Sequence, residues 1–215
     1  TAQLAMAEEC ESDPGLAVRG LRALNRACQS LCEGQFLDLE FEGRMTVRLD
    51  DYLAMVERKT AALMEAACFL GALYGGADEA ALGAYSSFGR HLGLAFQMQD
   101  DYLGIWGDPE VTGKPTAADV VSKKKTLPIV YALAEASGPD RSLLAALLSA
   151  PGPADDSAVA GVLEVLARCG AADFTAAEVQ RYSSAALEAL SWARAEARPR
   201  AEMESLCRKL TVRTR

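Results

Sequence analysis

An all-α protein is predicted by three features of the sequence: alanine and leucine dominate, runs of β-branched residues are absent, and glycine and proline gather in a few clusters. Helix-favouring residues fill long stretches and helix breakers stand between them. The 215 residues suffice for one sizeable core, since a chain of this size buries about 70% of the surface its unfolded form exposes. Half the residues are hydrophobic and 24% are charged, the composition of a globular domain.

The elements follow in order. From about Pro14 the apolar positions Leu21, Leu24, Cys28 and Leu31 step by three or four residues, and the stripe runs on through Gln35 and Asp38. A second helix, capped at Asp50 or Asp51, sets Val56, Leu63, Ala67 and Leu70 on one face, and Lys59 and Thr60 fall on that face. A third starts after Gly75-Gly76 with Asp78 as its cap; its stripe runs Leu82, Tyr85, Gly89, Leu92, Phe96, Asp100, and it ends near Gly104. Gly107 to Pro115 reads as a loop. Lys125-Thr126-Leu127-Pro128 then leads into a helix carrying Ile129, Leu133 and Ala136, with proline in its first turn. The Pro-Gly-Pro segment marks a surface loop at about 149–157, and two or three amphipathic helices follow. Residues 1–215 read as one domain. Asp50-Asp51-Tyr52-Leu53 and Asp100-Asp101-Tyr102-Leu103 share a word but no context: the first opens a helix and the second closes one.

A net charge of −8 excludes a broad basic footprint for nucleic acid or an anionic membrane, so any anionic ligand has to be met locally. The six cysteines form no Cys-x-x-Cys pair and His91 is the only histidine, so zinc sites and redox dithiols lack their ligand spacing. Cysteines set among Ala and Leu act as small hydrophobes, which points to a reducing, cytoplasmic setting. No apolar run approaches the roughly 18 residues that span a bilayer, and the first residues have no basic stretch before an apolar one.

Three helices thus place polar residues where burial is expected: Gln35 and Asp38, Lys59 and Thr60, then Gln97, Asp100 and Asp101. Buried charge is costly unless paired or liganded, so these residues point to a shared polar cavity inside a bundle. The alternative is that they sit at helix ends with their heads in water. Adjacent carboxylates at the mouth of an apolar channel repel one another unless a hard cation neutralises them; magnesium, with its oxygen ligands, is the natural choice for Asp100-Asp101. The next loop carries Gly107, Gly113-Lys114-Pro115, Asp119 and the run Lys123-Lys124-Lys125. It is not a P-loop: the spacing is one residue too long, Pro115 replaces the metal-binding hydroxyl, and no strand precedes it. Lys114 can still meet phosphate as a point charge.

These residues resemble the trans-type (E-type) isoprenyl diphosphate synthases, which include the farnesyl and geranylgeranyl diphosphate synthases. The likeness runs from Gly34-Gln35-Phe-Leu-Asp38 through Glu57-Arg-Lys59-Thr60 and Phe96-Gln97-Met-Gln-Asp100-Asp101-Tyr-Leu-Gly104. It continues through Gly107-Asp108 and Thr112-Gly-Lys114-Pro to Asp119 and Lys124-Lys125-Thr126-Leu127-Pro128. The resemblance implies an isoprenoid-synthase-type bundle around a central cavity, and an enzyme joining an allylic diphosphate to isopentenyl diphosphate with Mg2+. Asp100 and Asp101 then match the second aspartate-rich motif, which holds metal against the diphosphate. Lys59, Lys114 and Lys124 match lysines that grip it. Thr60, Gln97 and Gln35 match positions lining the reacting centre, with Asp38 and Phe96 beside the same cavity. Arg208, Lys209 and Arg213 are candidates to close over isopentenyl diphosphate. A farnesyl, geranylgeranyl or longer trans product and a homodimer are implied as well.

Two departures stand out. The motif's fifth position, usually a third aspartate, is Gly104. The family's first aspartate-rich motif is absent: after Asp50-Asp51 come Ala54 and Met55 where a third aspartate belongs, and no Arg-Arg follows. Thr1 is expected to begin in a helix just downstream of that motif, so the chain reads as the C-terminal portion of a larger bundle, inactive alone. A non-catalytic subunit of a heteromeric synthase is a second reading. A class I terpene cyclase is a third; its second metal motif needs Ser or Thr four residues after Asn or Asp, whereas Asn25 is followed by Gln29.

Overall fold

The computed structural model describes residues 2–8, 13–44, 46–113 and 115–211, the side chains of Val111 and Thr112 excepted; among them every regular element is helical. After a short α1 (Ala2–Glu8), α2 (Pro14–Gly43) opens on Asp13, whose carboxylate accepts from the Leu16 N–H. Its buried face is not the predicted stripe. Gly20, Ala27, Gly34 and Phe41 are buried at every seventh residue, with Ala17 beside them, while Cys28 and Gln35 are exposed. Periodicity favours large apolar residues, whereas this contact selects small ones. A Cβ added at Gly34 would lie 2.3 Å from the backbone nitrogen of Lys59, so two helix backbones meet there without side chains between them.

Helices α3 (Leu49–Val56) and α4 (Ala62–Tyr74) are joined through one π-helical turn, Glu57–Ala61. The start is Arg48 rather than Asp50 or Asp51; Asp51 stands three residues in and its carboxylate accepts from the Arg48 N–H at 3.2 Å. The π turn also overturns the predicted face. By accommodating an extra residue it shifts the phase of all that follows, so Val56, Ala61 and Ala66 are buried in steps of five while Leu63 and Ala67 are exposed.

Helix α5 (Glu79–Trp106) has the predicted Asp78 cap, which accepts from the Ala81 N–H, and runs two residues beyond the predicted end. Leu92 to Ala95, Met98, Gln99 and Asp101 are buried, covering most of its circumference, as befits the central helix of a bundle. It packs chiefly against α4 and α11 (Ala171–Trp192). Gly93 repeats the close approach from this side: a Cβ there would lie 2.5 Å from the Cα of Ala61.

The predicted loop after Gly107 contains one helical turn, α6 (Pro109–Thr112), capped by Asp108. Then come α7 (Ala118–Val121), α8 (Leu127–Glu135) and α9 (Gly138–Ser149). Pro128 sits in the first turn of α8, but the helix ends before Ala136, because Ser137-Gly138-Pro139 starts a new one. The connector after Ser149 leads into α10 (Asp156–Arg168), followed by α11 and α12 (Ala197–Thr211). Tyr52, Met55, Val56, Leu94, Met98, Leu127 and Val130 form one apolar cluster joining α3, α5 and α8. No helix among the described residues is long and apolar enough to cross a membrane.

The glycine contacts set opposite expectations for one substitution. Gly34→Ala forces a methyl into backbone that cannot retreat and should cost about 3 kcal/mol, as severe overpacking does. Gly83→Ala, an exposed α5 position where the added Cβ meets nothing, should stabilise by about 0.5–1 kcal/mol through lost unfolded-state entropy. Denaturant unfolding of the two variants measures both.

Candidate active site

The Gly34 contact has a direct chemical consequence. It presses the π turn onto α2, and one turn further along α2 Asp38 meets the side chain of Lys59, Oδ2 to Nζ, at 2.5 Å. Both line a pocket of about 270 Å3 with Tyr52, Met55, Gln97, Asp100, Asp101, Asp119, Lys124, Lys125 and Thr126. An ammonium has three N–H donors, so Lys59 can serve Asp38 and still present donors to an anion.

Asp101 organises the floor. Its Oδ2 accepts from the Tyr52 hydroxyl at 2.6 Å and from the Leu127 N–H at 2.8 Å, and its Oδ1 accepts from Gln97 Nε2 at 3.0 Å. Gln97 in turn accepts from the Thr60 hydroxyl at 2.8 Å, which links the π turn to the same network. The Leu127 contact caps the first turn of α8 from another helix; Thr126, its N-cap residue, makes no side-chain cap. Burial pushes the Asp101 carboxyl up to about 6, against the opposing pull of the Tyr52, Leu127 and Gln97 hydrogen bonds, with the nearby Asp119 charge raising it further. Burial, then the charge of Asp101, raises the Tyr52 hydroxyl as well. A carboxylate with three donors already on it is well suited to positioning. Asp100, half-buried and one residue earlier, is turned differently and also lines the pocket.

The third wall is the segment leading to α8. Ala117 and Lys123 both adopt left-handed backbone, at φ 58° and 56°, and fold it back so that the Ala117 N–H donates to the Ile105 carbonyl at 3.1 Å. Lys124 Nζ lies 3.6 Å from Asp119 Oδ1; the lysine side chain is exposed and the aspartate buried. Lys125 is buried, and desolvation lowers its ammonium's pKa, offset by Glu42 and reinforced by Lys123. The Thr126 hydroxyl is buried without a hydrogen-bond partner.

Of the residues singled out in the sequence, Asp38, Lys59, Gln97, Asp100, Asp101 and Lys124 meet at this pocket, and Thr60 joins through Gln97. Gln35 is exposed and Phe96 half-buried, and neither lines it. Lys114 and Arg213 lie outside the described residues. Arg208 and Lys209 are on α12, where Arg208 pairs with Glu204 at 3.2 Å. Sequence reasoning assigned no site role to Tyr52, Met55, Asp119, Lys125 and Thr126, which also line the pocket. Tyr52 carried a usable signal, since it precedes Lys59 by two helical turns.

The residues 3–166 match the profile of the polyprenyl synthetase family. The chain belongs to that family. Among curated relatives, it is 40% identical over 195 residues to a (2E,6E)-farnesyl diphosphate synthase of Mycobacterium tuberculosis, covering 90% of this chain and 54% of that protein. It is 51% identical over 140 residues to a geranylgeranyl diphosphate synthase of the same organism, covering 65% of this chain and 40% of that one. The chain therefore spans about half the length of these polyprenyl synthetases. A polyprenyl synthetase of Streptomyces coelicolor A3(2) superposes with a TM-score of 0.88 at 36% identity, over 97% of this chain and 63% of that one. A geranylgeranyl pyrophosphate synthase of Corynebacterium glutamicum, solved with isoprenyl diphosphate and magnesium, superposes at 0.85 with 26% identity, over 98% of this chain and 61% of that one. The fold is thus that of the isoprenyl synthases.

The acidic groups of the pocket are all carboxylates, with no thiol or imidazole among its lining residues, a donor set for a hard cation rather than zinc. Among the described residues no three His, Cys, Asp or Glu side chains converge as a ready metal cage. A cation here would have to complete its shell with water and an anionic ligand.

The Asp101 network predicts a sharp difference between two substitutions. Asp101→Ala strands the Tyr52 hydroxyl and the Leu127 N–H and should cost about 3 kcal/mol or more in unfolding free energy. Asp101→Asn should cost far less. Its carbonyl can accept from Tyr52 and Leu127, and its amide can donate to Gln97 once the Gln97 amide flips, leaving the Thr60 hydroxyl to accept. Chemical denaturation of the two variants tests this.

Proposed function

We propose that the full-length protein is a magnesium-dependent trans-prenyl diphosphate synthase that joins an allylic prenyl diphosphate to isopentenyl diphosphate. The observation that carries this reading is the convergence of Lys59, Lys124 and Asp100 on one polar pocket, with the orphaned Thr126 hydroxyl at its edge. Lysines beside carboxylates suit a diphosphate that arrives with a hard cation, and the absence of a ready cage among the described residues fits a cation that arrives with its anion. The names of the synthases to which the chain is similar support the same substrate class.

Lys59 and Lys124 would bind the diphosphate oxygens and stabilise the charge that develops as the allylic carbon–oxygen bond breaks. The electron pair of that bond leaves with the diphosphate. The double bond of isopentenyl diphosphate attacks the allylic carbon, and a proton lost to the departing diphosphate regenerates a trans alkene. Asp100 would contribute an oxygen to a bound magnesium, with Asp101 holding the end of α5 in register. Magnesium, when bound, supplies further neutralisation of the leaving group. Gln97 and Thr60, tied to each other and to Asp101, keep the π turn and α5 from moving apart, which holds Lys59 in place. The apolar cluster beneath the pocket excludes water from the reacting centre. Exposed Phe36 and Leu39 on α2 support association of this face with further protein, in keeping with a homodimer.

The decisive experiment incubates the full-length protein and this 215-residue chain with an allylic diphosphate, labelled isopentenyl diphosphate and magnesium. The longer protein should form labelled prenyl diphosphate; this chain, which lacks the first aspartate-rich motif, should not. No product from the longer protein would overturn the reading. In the active protein, Lys59→Met and Asp100→Ala should each lower kcat by about 100- to 1,000-fold, the scale of losing one electrostatic contact to the transition state.

A further inference from the structure

The three consecutive lysines before α8 go separate ways. Lys124 and Lys125 line the pocket, whereas Lys123 does not. Its ammonium instead donates to the Ala150 carbonyl at 2.6 Å. Ala150 is the C-cap of α9, so this carbonyl lies at the negative end of a helix dipole and beyond the helix's own hydrogen-bond ladder, a place that favours a cation. Pro151 follows, and Ala150 is extended at φ −67° and ψ 141°, the backbone that a residue before proline adopts, which holds the acceptor in place. Two residues before Lys123, the Val121 carbonyl accepts from the Ala154 N–H at 3.0 Å. The connector between α9 and α10 therefore grips the segment at two points, while at the segment's other end the Ala117 N–H is bonded to Ile105 of α5. Lys123 itself is left-handed, at φ 56°, a conformation that strains a residue other than glycine and persists where its surroundings hold it. From that turn the Lys124 N–H donates back to the Asp119 carbonyl at 3.0 Å.

We propose that Lys123 is a positioning residue: it latches the turn that carries Lys124 to the end of α9, and so fixes where the Lys124 ammonium meets an anion in the pocket. This inference rests on the diphosphate reading given above. The Lys124 side chain is exposed and its pairing with Asp119, at 3.6 Å, is longer than a good hydrogen bond, so its place depends on the backbone from which it starts. That backbone is suspended between α5 and the connector after α9. Without the Lys123 contact the rear of the span loses one of its two ties to the connector. Residues 150–154, which do not line the pocket, thereby become part of its support.

The test compares Lys123→Asn and Lys123→Arg with the unaltered chain. Asparagine accepts left-handed backbone more readily than lysine but is too short to reach Ala150. Arginine keeps both the charge and the reach. Hydrogen exchange of the Lys124 and Ala154 amides reads the latch. Calorimetry of inorganic pyrophosphate with magnesium, at low salt and at about 0.5 M salt, where distant charges are screened, reads the placement of Lys124. Lys123→Asn should speed exchange of both amides by about tenfold, the scale of one lost hydrogen bond, and weaken pyrophosphate binding by about tenfold at both salt concentrations. Lys123→Arg should restore both. Unchanged exchange in Lys123→Asn, faster exchange with no loss of affinity, or a loss of affinity that vanishes at high salt, as that of a lone distant charge would, overturns the proposal. So does an arginine variant no better than the asparagine one. If the unaltered chain binds no pyrophosphate, the diphosphate reading of this pocket fails by itself; the latch is then decided by exchange of the Lys124 amide, where acceleration in Lys123→Asn supports it and unaltered exchange overturns it.

Discussion

The approach of three backbones at the π turn is the constraint on which the rest of the molecule depends. Gly34 of α2 lies against Lys59, and Gly93 of α5 lies against Ala61, so residues 57–61 are held between two helices with almost no side-chain padding. Glu57, at the first position of the turn, is further tied to Arg90 of α5. A segment held so closely cannot drift. The position of the Lys59 ammonium is consequently set by backbone packing more than by its own flexible side chain, whose disorder would otherwise oppose any fixed geometry.

Asp101 performs the complementary task on the other side of the pocket. Three elements that have no covalent reason to stay together, α3, α5 and α8, each contribute a donor or the acceptor to one buried carboxylate. Buried polar groups of this kind are tolerated only when fully satisfied. The same requirement that makes the network costly to disturb makes it a strict ruler for the distance between Tyr52, Gln97 and the start of α8. The two arrangements meet through Thr60, which belongs to the π turn and bonds to Gln97.

Much of this was legible in the sequence, and the misses share a cause. The all-helical class, the α5 cap at Asp78, Pro128 in the first turn of α8 and the meeting of Asp38, Lys59, Gln97 and Asp100 all follow from local patterns or from motif spacing. The predicted faces of α2 and α3–α4 failed because hydrophobic periodicity counts large residues and assumes a uniform helix. Here the tightest contacts are made by glycine and alanine, and one π turn resets the phase. Gln35, on that α2 stripe, is exposed. The adjacency of Asp100 and Asp101 points to a cation, but the donors that engage Asp101 come from residues remote in sequence, where no periodic signal reaches. Thr126 was hidden for a related reason: a threonine before Leu-Pro reads as an ordinary cap, and only the three-dimensional structure reveals that the capping is done from α5.

The π turn also bears on how this part of the chain can change over time. An α helix interrupted by one wide turn contains, in effect, one residue more than a regular helix spanning the same contacts. Deleting a single residue between Glu57 and Ala61 would let the segment relax into ordinary α helix while Ala66 and Leu73, now buried, keep their places against their partners. What would go is the wide turn itself, and with it the present placement of Lys59 and Thr60. The packing of α4 can absorb a change of length in these five residues; the pocket cannot.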